Sequence, residues 1–200
     1  MARSFRLTAD GGSRGNPGPA GYGAVVTEGG KIVAELFDVI GVATNNVAEY
    51  SGLLAGLSHI HKLDAQAIVE VAMDSKLVVE QMSGRWQIKH ADMRDLAKQC
   101  RAAHDPSLVT YSWIPRDENS HADRLANKAL DGVFKMIAVE EVNIRTNIKS
   151  RTSDLLMKVF ALQDKNEFYM PPLILLQKVG IYSILLVRFQ VKKMRIILIF

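Results

Sequence analysis

The alternation of apolar and polar residues along the first part of the chain predicts a β-sheet. Residues 4–9 follow the two-residue period of a strand. Gly29-Gly30 separates two further extended segments and predicts a hairpin, whereas the glycines and prolines of residues 11–21 predict a long turn. The predicted strands lie at residues 4–9, 22–28, 31–40, 68–73 and 108–114.

Between these strands the apolar period changes to that of helices. Leu53, Leu57 and Ile60 recur at helical spacing after Asn45-Asn46, which offers a helix cap. The predicted helices lie at residues 45–62, from about 75 to an interruption at Gly84, at 91–103 and at 120–131. The order of three strands, helix, strand, helices, strand and helix predicts an α/β domain built on a five-stranded mixed sheet.

Composition divides the chain near residue 132. The whole chain is 48% hydrophobic and 23% charged, which supports a packed core and excludes wholesale disorder. Residues 1–132 hold 14 Lys and Arg against 16 Asp and Glu, a balance of −2, whereas residues 133–200 hold 11 against 5, a balance of +6. We therefore predict one domain over 1–132 and an atypical basic and apolar extension over 133–200.

The single cysteine, Cys100, excludes a disulfide framework and a multi-cysteine zinc site. We interpret it as a small buried hydrophobe. A single cysteine is typical of a protein in a reducing compartment. The segment from Met1 to Asp10 lacks the apolar block of a signal peptide, so we expect none there. The expected location is the cytoplasm.

Four carboxylates stand at positions where chemistry is expected. Asp10 and Asp74 end predicted strands that a crossover helix makes parallel neighbours, so both lie at the carboxyl edge of the sheet. Glu49 and Asp123 lie on the packing faces of their helices. Each taken alone is more simply explained as a turn aspartate or as an acidic residue in the first turn of a helix.

Taken together, the four carboxylates indicate a metal site. Convergence would cost about 4 kcal/mol for each pair of charges 4 Å apart at an effective dielectric constant near 20, unless cations or protons neutralise them. Oxygen ligands in this number suit Mg²⁺ or Mn²⁺ and not zinc. Two such cations held by carboxylates are typical of in-line phosphoryl displacement.

The residues around these carboxylates resemble type 1 ribonuclease H. The resemblance covers about residues 5–131 and is strongest with the ribonuclease H half of actinobacterial bifunctional ribonuclease H/acid phosphatase proteins, especially over residues 74–90. The matching motifs are Asp10 to Gly23 (DGGSRGNPGPAGYG), Thr44 to Tyr50 (TNNVAEY), Met73 to Lys76 (MDSK) and Ala122 to Asn127 (ADRLAN).

The resemblance implies a ribonuclease H-like fold and an endoribonuclease that hydrolyses the RNA strand of RNA–DNA hybrids. It implies that Asp10, Glu49, Asp74 and Asp123 are the catalytic residues and bind two Mg²⁺ ions, with Mn²⁺ as a possible substitute. Attack by an activated water with the ribose 3′-oxygen leaving would give 5′-phosphate and 3′-hydroxyl ends. The expected partner is therefore the hybrid, and a monomer without a stable protein partner is expected.

Small polar residues and glycines beside the carboxylates are candidates for substrate binding. Backbone amides of a glycine-rich segment approach a polynucleotide closely, although the same glycines also suit a simple turn. The resemblance implies contacts to 2′-hydroxyls and to the phosphate of the DNA strand, although Asn45-Asn46 also suits a helix cap. The candidates are Gly11, Gly12, Ser13, Asn16, Thr44, Asn45 and Asn46.

Three residues near the last predicted strand carry weaker expectations. Arg116 follows that strand beside the site and is a candidate for touching substrate. His121 is a candidate auxiliary group for product release, with helix capping or solvent exposure as its alternative. We expect Trp113 in the core and not as a stacking platform for bases.

A catalytically silent hybrid-binding module is the competing interpretation of the domain. The presence of all four acidic residues favours the enzyme, because a silent module loses ligands at little cost.

The extension over residues 133–200 contains no histidine and no Arg-His-Gly motif, so we expect no histidine-phosphatase activity from it. We interpret it as a frame-shifted or read-through extension. A membrane or phosphate contact through Lys192-Lys193 is the alternative, although membrane contact is not expected because its apolar runs are short for a spanning helix.

Overall fold

Five strands form one mixed sheet in the computed structural model, which describes residues 3–150, 152–154 and 157–158. The strands are β1 (Ser4–Ser13), β2 (Gly18–Glu28), β3 (Lys31–Ala43), β4 (Ile68–Met73) and β5 (Val109–Trp113). Their spatial order is β3-β2-β1-β4-β5. β2 pairs antiparallel with β1 and β3, whereas β4 pairs parallel with β1 and β5. The predicted five-stranded mixed sheet is confirmed.

The register of β1 places the first carboxylate beside a gap in the sheet. Parallel pairing with β4 ends at Thr8 opposite Ala72, whereas antiparallel pairing with β2 continues to Ser13 opposite Ala20. Asp10 therefore lies inside β1, two residues beyond the end of the parallel ladder. The predicted turn over residues 11–21 is wrong at both ends, because extended glycine backbone pairs across β1 and β2 and only residues 14–17 connect the strands.

Four α-helices connect and cover the strands: α1 (Asn45–Leu63), α2 (Lys76–Met82), α3 (Ala91–Ala103) and α4 (Ser120–Thr146). A 3₁₀ turn, Arg116–Asn119, directly precedes α4. The prediction that the last helix ends at residue 131 is wrong. Residues 133–146 contain neither glycine nor proline, so nothing in the sequence stops the helix before Thr146.

Helices lie on both faces of the sheet. Leu53, Leu57 and Ile60 of α1 are buried in one cluster with Ala24 and Val26 of β2. Val25 points to the opposite face, because side chains alternate along a strand, and it packs there against Ala122 and Leu125 of α4. The helices that carry two of the four carboxylates thus approach the sheet from opposite sides.

The chain divides into two compact units, and the boundary between them falls within α4, between Leu130 and Asp131. The functional boundary at residue 132 stays a prediction. Among the described residues, no helix has the length and apolar character needed to cross a membrane. The expectations for Lys192-Lys193 and the rest of the extension after residue 158 lie outside the described residues.

Candidate active site

A pocket of about 220 Å³ opens where β1 and β4 stop pairing. β1, α1, the residue after β4, the 3₁₀ turn and α4 all contribute to its lining. The lining residues are Asp10, Gly11, Gly12, Ser13, Arg14, Asn45, Glu49, Asp74, Arg116, Asp123, Ala126, Asn127 and Leu130. The structure thus brings the four predicted carboxylates to one pocket.

Asp10 is the most enclosed of these carboxylates. Its side chain is buried, and its Oδ1 accepts a hydrogen bond of 2.8 Å from the backbone N–H of Gly11. Burial, and then the neighbouring charge of Asp74, raises the pKa of Asp10 to about 6. A positive charge bound nearby would therefore favour the ionised form of Asp10 and lower its pKa.

Glu49 faces the same pocket from α1. Its Oε2 accepts a hydrogen bond of 2.5 Å from the hydroxyl of Ser75, which is also the N-cap of α2. Burial raises the pKa of Glu49 to about 7, and the Ser75 hydrogen bond opposes that rise. One serine therefore both begins α2 and orients the glutamate.

Asp74 is held from two directions after the end of β4. Its backbone carbonyl accepts a hydrogen bond of 3.0 Å from the indole N–H of Trp113. Its Oδ1 accepts a hydrogen bond of 2.6 Å from Nδ2 of Asn119. Nothing in the sequence pattern pointed to Asn119, since it follows Asp117 and Glu118 and resembles part of a solvated charged turn.

Asp123 sits in the first turn of α4 beside a cation of the protein itself. Its Oδ1 accepts a hydrogen bond of 2.9 Å from Nη2 of Arg116. Its Oδ2 accepts one of 3.2 Å from Nδ2 of Asn127, one helical turn further on. Arg116, a predicted substrate contact, therefore lines the pocket as the ion-pair partner of a carboxylate.

The donor set fits hard divalent cations in its chemistry. All four groups offer carboxylate oxygens, the ligands that Mg²⁺ and Mn²⁺ prefer. In the described part of the chain, however, no three His, Cys, Asp or Glu side chains are arranged closely enough to hold a metal ion as they stand, although the four carboxylates line one pocket. Each carboxylate is instead held by its own hydrogen-bond donor.

Two glycines allow the helices to come this close to the sheet. A Cβ on Gly11 would lie 2.2 Å from the backbone of Ala48 and Glu49 in α1. A Cβ on Gly23 would lie 2.2 Å from the carbonyl oxygen of Ala122 in α4. The sequence predicts Gly11 as a substrate-binding residue. The structure shows that it also lets α1 pack closely against β1.

Some predicted substrate residues form one connected group beside the carboxylates. Asn45 Oδ1 accepts a hydrogen bond of 2.8 Å from the backbone N–H of Ser13, and its own N–H donates to Oδ1 of Asn16 at 3.2 Å. Thr44 caps α1 through its hydroxyl oxygen, which accepts from the N–H of Val47. Gly12, Ser13 and Asn45 line the pocket, whereas Asn16, Thr44 and Asn46 are not among its lining residues.

His121 and Trp113 lie elsewhere than expected for their sequence-based roles. His121 Nε2 lies 2.6 Å from Oε1 of Glu35 on β3, and the residue is not among those that line the pocket. Trp113 is 53% exposed, so its predicted place in the core is wrong. Trp113 ends the edge strand β5, and its indole N–H donates a hydrogen bond to the backbone carbonyl of Asp74.

The strand order and the position of the pocket define a ribonuclease H-like α/β domain, and comparison with known proteins agrees. Residues 8–129 match the family model described as reverse transcriptase-like. The ribonuclease H of Hydrogenovibrio crunogenus is 32% identical over 144 residues, covering 64% of this chain and 97% of that protein. The chain belongs to the ribonuclease H family.

The chain is also similar to the bifunctional protein Rv2228c of Mycobacterium tuberculosis, with 54% identity over 137 residues. That match covers 67% of this chain and 37% of Rv2228c. The solved N-terminal RNase H domain of Rv2228c superposes with a TM-score of 0.63 at 51% identity, covering 68% of this chain and 99% of that one. LC11-RNase H1 in complex with an RNA/DNA hybrid gives 0.60 at 35% identity, covering 64% and 98%.

Proposed function

We propose that this protein is a metal-dependent endoribonuclease that hydrolyses the RNA strand of RNA–DNA hybrids. The observation that carries the proposal is the convergence of four carboxylates from four separate segments on one pocket at the sheet edge. Family membership and the similarity to LC11-RNase H1, which was solved with an RNA/DNA hybrid, support the choice of substrate.

In this proposal Asp10, Glu49, Asp74 and Asp123 hold two Mg²⁺ ions, with Mn²⁺ as a substitute. Bound divalent cations supply positive charge for the attacking water and for the leaving 3′-oxygen. The protein's own contribution is to keep the four carboxylates oriented, through donors such as Ser75 and Asn119, before any cation arrives. We expect products with 5′-phosphate and 3′-hydroxyl ends.

Hybrid recognition in this proposal relies on backbone amides and small polar groups. Residues 1–132 carry a balance of −2, so charge attraction over this part of the chain does not favour a polyanion. The connected group of Ser13, Asn16 and Asn45 lies beside the carboxylates and can contact 2′-hydroxyls and phosphates. Such contacts read the backbone and imply little sequence preference.

The test is cleavage of an end-labelled hybrid with and without Mg²⁺, using duplex DNA and duplex RNA as controls. Asp10→Asn should abolish cleavage while preserving the folded state, because a neutral amide replaces an anionic ligand. Asp38→Asn on the exposed part of β3 is the matched control and should cleave like the wild type. Hybrid binding without cleavage by the wild-type chain would instead support the silent binding module, and 2′,3′-cyclic phosphate ends would contradict the proposed chemistry.

A further inference from the structure

Asn119 is a buried amide that joins two parts of the active-site edge. It is 1% exposed and ends the 3₁₀ turn before α4. Its Nδ2 donates one hydrogen bond to the carbonyl oxygen of Ala9 at 2.9 Å and another to Oδ1 of Asp74 at 2.6 Å. Ala9 directly precedes Asp10, so one side chain contacts the backbone beside one carboxylate and the carboxyl group of another.

This contact lies where the sheet no longer supplies its own connection. The parallel ladder between β1 and β4 ends at Thr8 opposite Ala72. Beyond that pair β1 and β4 no longer pair, and the Asn119 amide bridges Ala9 of β1 and Asp74, the residue after β4. The bridge therefore joins the backbone beside Asp10 to the carboxyl group of Asp74, two groups that a shared cation would have to contact together.

The chemistry of the amide suits this position. Both protons of Nδ2 are used, whereas Oδ1 of Asn119 is buried without a hydrogen-bond partner among the described residues. The reversed amide orientation would set an oxygen against a carbonyl and a carboxylate, so only the donating orientation is chemically reasonable. An unsatisfied buried acceptor is costly, and the two hydrogen bonds that the nitrogen donates oppose this cost.

The donated hydrogen bond also leaves the carboxylate available. It occupies Oδ1 of Asp74, and no hydrogen bond to Oδ2 is described. A neutral amide orients the carboxylate without adding a positive charge that would compete with a cation. Arg116 differs in this respect, because its guanidinium brings a full charge to Asp123.

We propose that Asn119 is a positioning residue that sets Asp74 relative to Asp10 for cation binding, an inference that rests on the proposed metal-dependent function. It acts through Asp74 and the end of β1 and makes no contact with substrate. A purely structural role, in which Asn119 only fastens the 3₁₀ turn to β1, would affect stability and leave cation affinity unchanged.

The experiment measures Mg²⁺ binding to the full chain by isothermal titration calorimetry without hybrid. Asn119→Ala and the similarly sized Asn119→Leu remove both donated hydrogen bonds. We expect each folded variant to bind Mg²⁺ about 10-fold more weakly or worse, the usual cost of losing a ligand-orienting partner. With hybrid, kcat should fall at fixed Mg²⁺ while KM for the hybrid stays unchanged.

His104→Ala is the matched control. His104 is also buried, and its Nε2 lies 2.8 Å from the carbonyl oxygen of Ala67, at the opposite end of β4 from Asp74. Its loss should lower thermal stability and leave the Mg²⁺ dissociation constant unchanged. Folded Asn119 variants that bind Mg²⁺ like the wild type would overturn the inference.

A measurement on the unmutated chain covers the case in which neither Asn119 variant folds. The ¹H–¹⁵N resonances of the Asn119 side-chain amide should be protected from exchange and should shift as Mg²⁺ is added. If the signals of the Asp74 carboxyl group shift as Mg²⁺ is added while those of the Asn119 amide do not, the inference is overturned. Absence of Mg²⁺ binding by the wild type, or normal binding by Asp74→Asn, would instead contradict the proposed function itself.

Discussion

Burial sets the ionisation of two carboxyl groups in the active site. The pKa of Asp10 rises to about 6 and that of Glu49 to about 7, with desolvation as the main cause in both. A carboxyl group whose pKa is higher in the folded state contributes stability that is present at low pH and lost as the pH rises through that pKa. Without a cation, the folded state therefore becomes less stable between about pH 4 and pH 7 on account of these two groups.

Asp10→Asn should remove the part of this pH dependence that belongs to Asp10. In EDTA we expect the variant to gain melting temperature relative to the wild type as the pH rises from about 4 to 7, with little gain below about pH 4. A shift of about two pKa units corresponds to about 3 kcal/mol, and this difference is complete once the pH exceeds both the unfolded and the folded pKa. Thermal denaturation across this pH range is the measurement. Asp38→Asn should follow the wild-type profile, and a difference between wild type and Asp10→Asn that does not change with pH would contradict the assignment.

At the scale of elements, one hydroxyl couples the start of α2 to the orientation of Glu49. The Ser75 hydroxyl oxygen accepts from the N–H of Val78 and donates to Glu49. Ser75→Ala should cost about 1 kcal/mol of stability through the lost cap and should raise the pKa of Glu49 further. Carboxyl ¹³C titration in EDTA measures the pKa, and chemical denaturation measures the stability. Ser75→Thr keeps a hydroxyl and should behave like the wild type, whereas an unchanged Glu49 pKa in Ser75→Ala would contradict this account.

The close approach of α1 to β1 depends on the missing side chain of Gly11. Gly11→Ala should lower the free energy of unfolding by about 2 kcal/mol or more, because its Cβ would overlap the backbone of α1 at Glu49. Urea denaturation measures the change, and Mg²⁺ affinity should fall with it as Glu49 is displaced. Gly12→Ala, one residue further along β1, would meet only Leu130 Cδ1 at 3.7 Å and is the matched control for stability. Equal stabilities for the two variants would show that α1 moves away freely.

At the scale of the whole molecule, every candidate ligand lies before residue 131, whereas α4 continues to Thr146. A chain of residues 1–146 keeps the whole helix and should retain the wild-type kcat at saturating hybrid. Its KM and the salt dependence of KM should also be unchanged if residues 147–200 play no part in binding. Steady-state kinetics at several salt concentrations is the measurement.

Two outcomes would change this interpretation of the extension. A KM that rises on truncation, mainly at low salt, would show that its basic residues attract phosphates. A folded 1–146 chain that has lost turnover at saturation would show that the extension belongs to the active enzyme. A 1–132 chain is the useful comparison, because it cuts α4 and separates the cost of a shortened helix from that of the extension.

Local periodicity and residue chemistry were enough to predict much of this protein. The two-residue and helical periods of the sequence predicted the five strands and four helices, and they put the bounds of 68–73 and 91–103 where β4 and α3 lie. The four carboxylates stood out as a set, because two follow predicted strands at the same edge of the sheet and two lie on the packing faces of helices. Such signals depend on neighbouring residues, which the sequence displays directly.

Only the tertiary structure decided the features that depend on residues far apart in the chain. The amide of Asn119 meets Ala9 across 110 residues, and His121 meets Glu35 across 86. Gly11, Gly12 and Ser13 resembled a turn, yet pairing with β2 makes them strand. Trp113 looked like a core residue, but its place on the edge strand β5 leaves it exposed. In each case the packing of the elements decides which residue, or whether solvent, contacts the side chain or backbone. No local pattern of hydrophobic and polar residues contains that information.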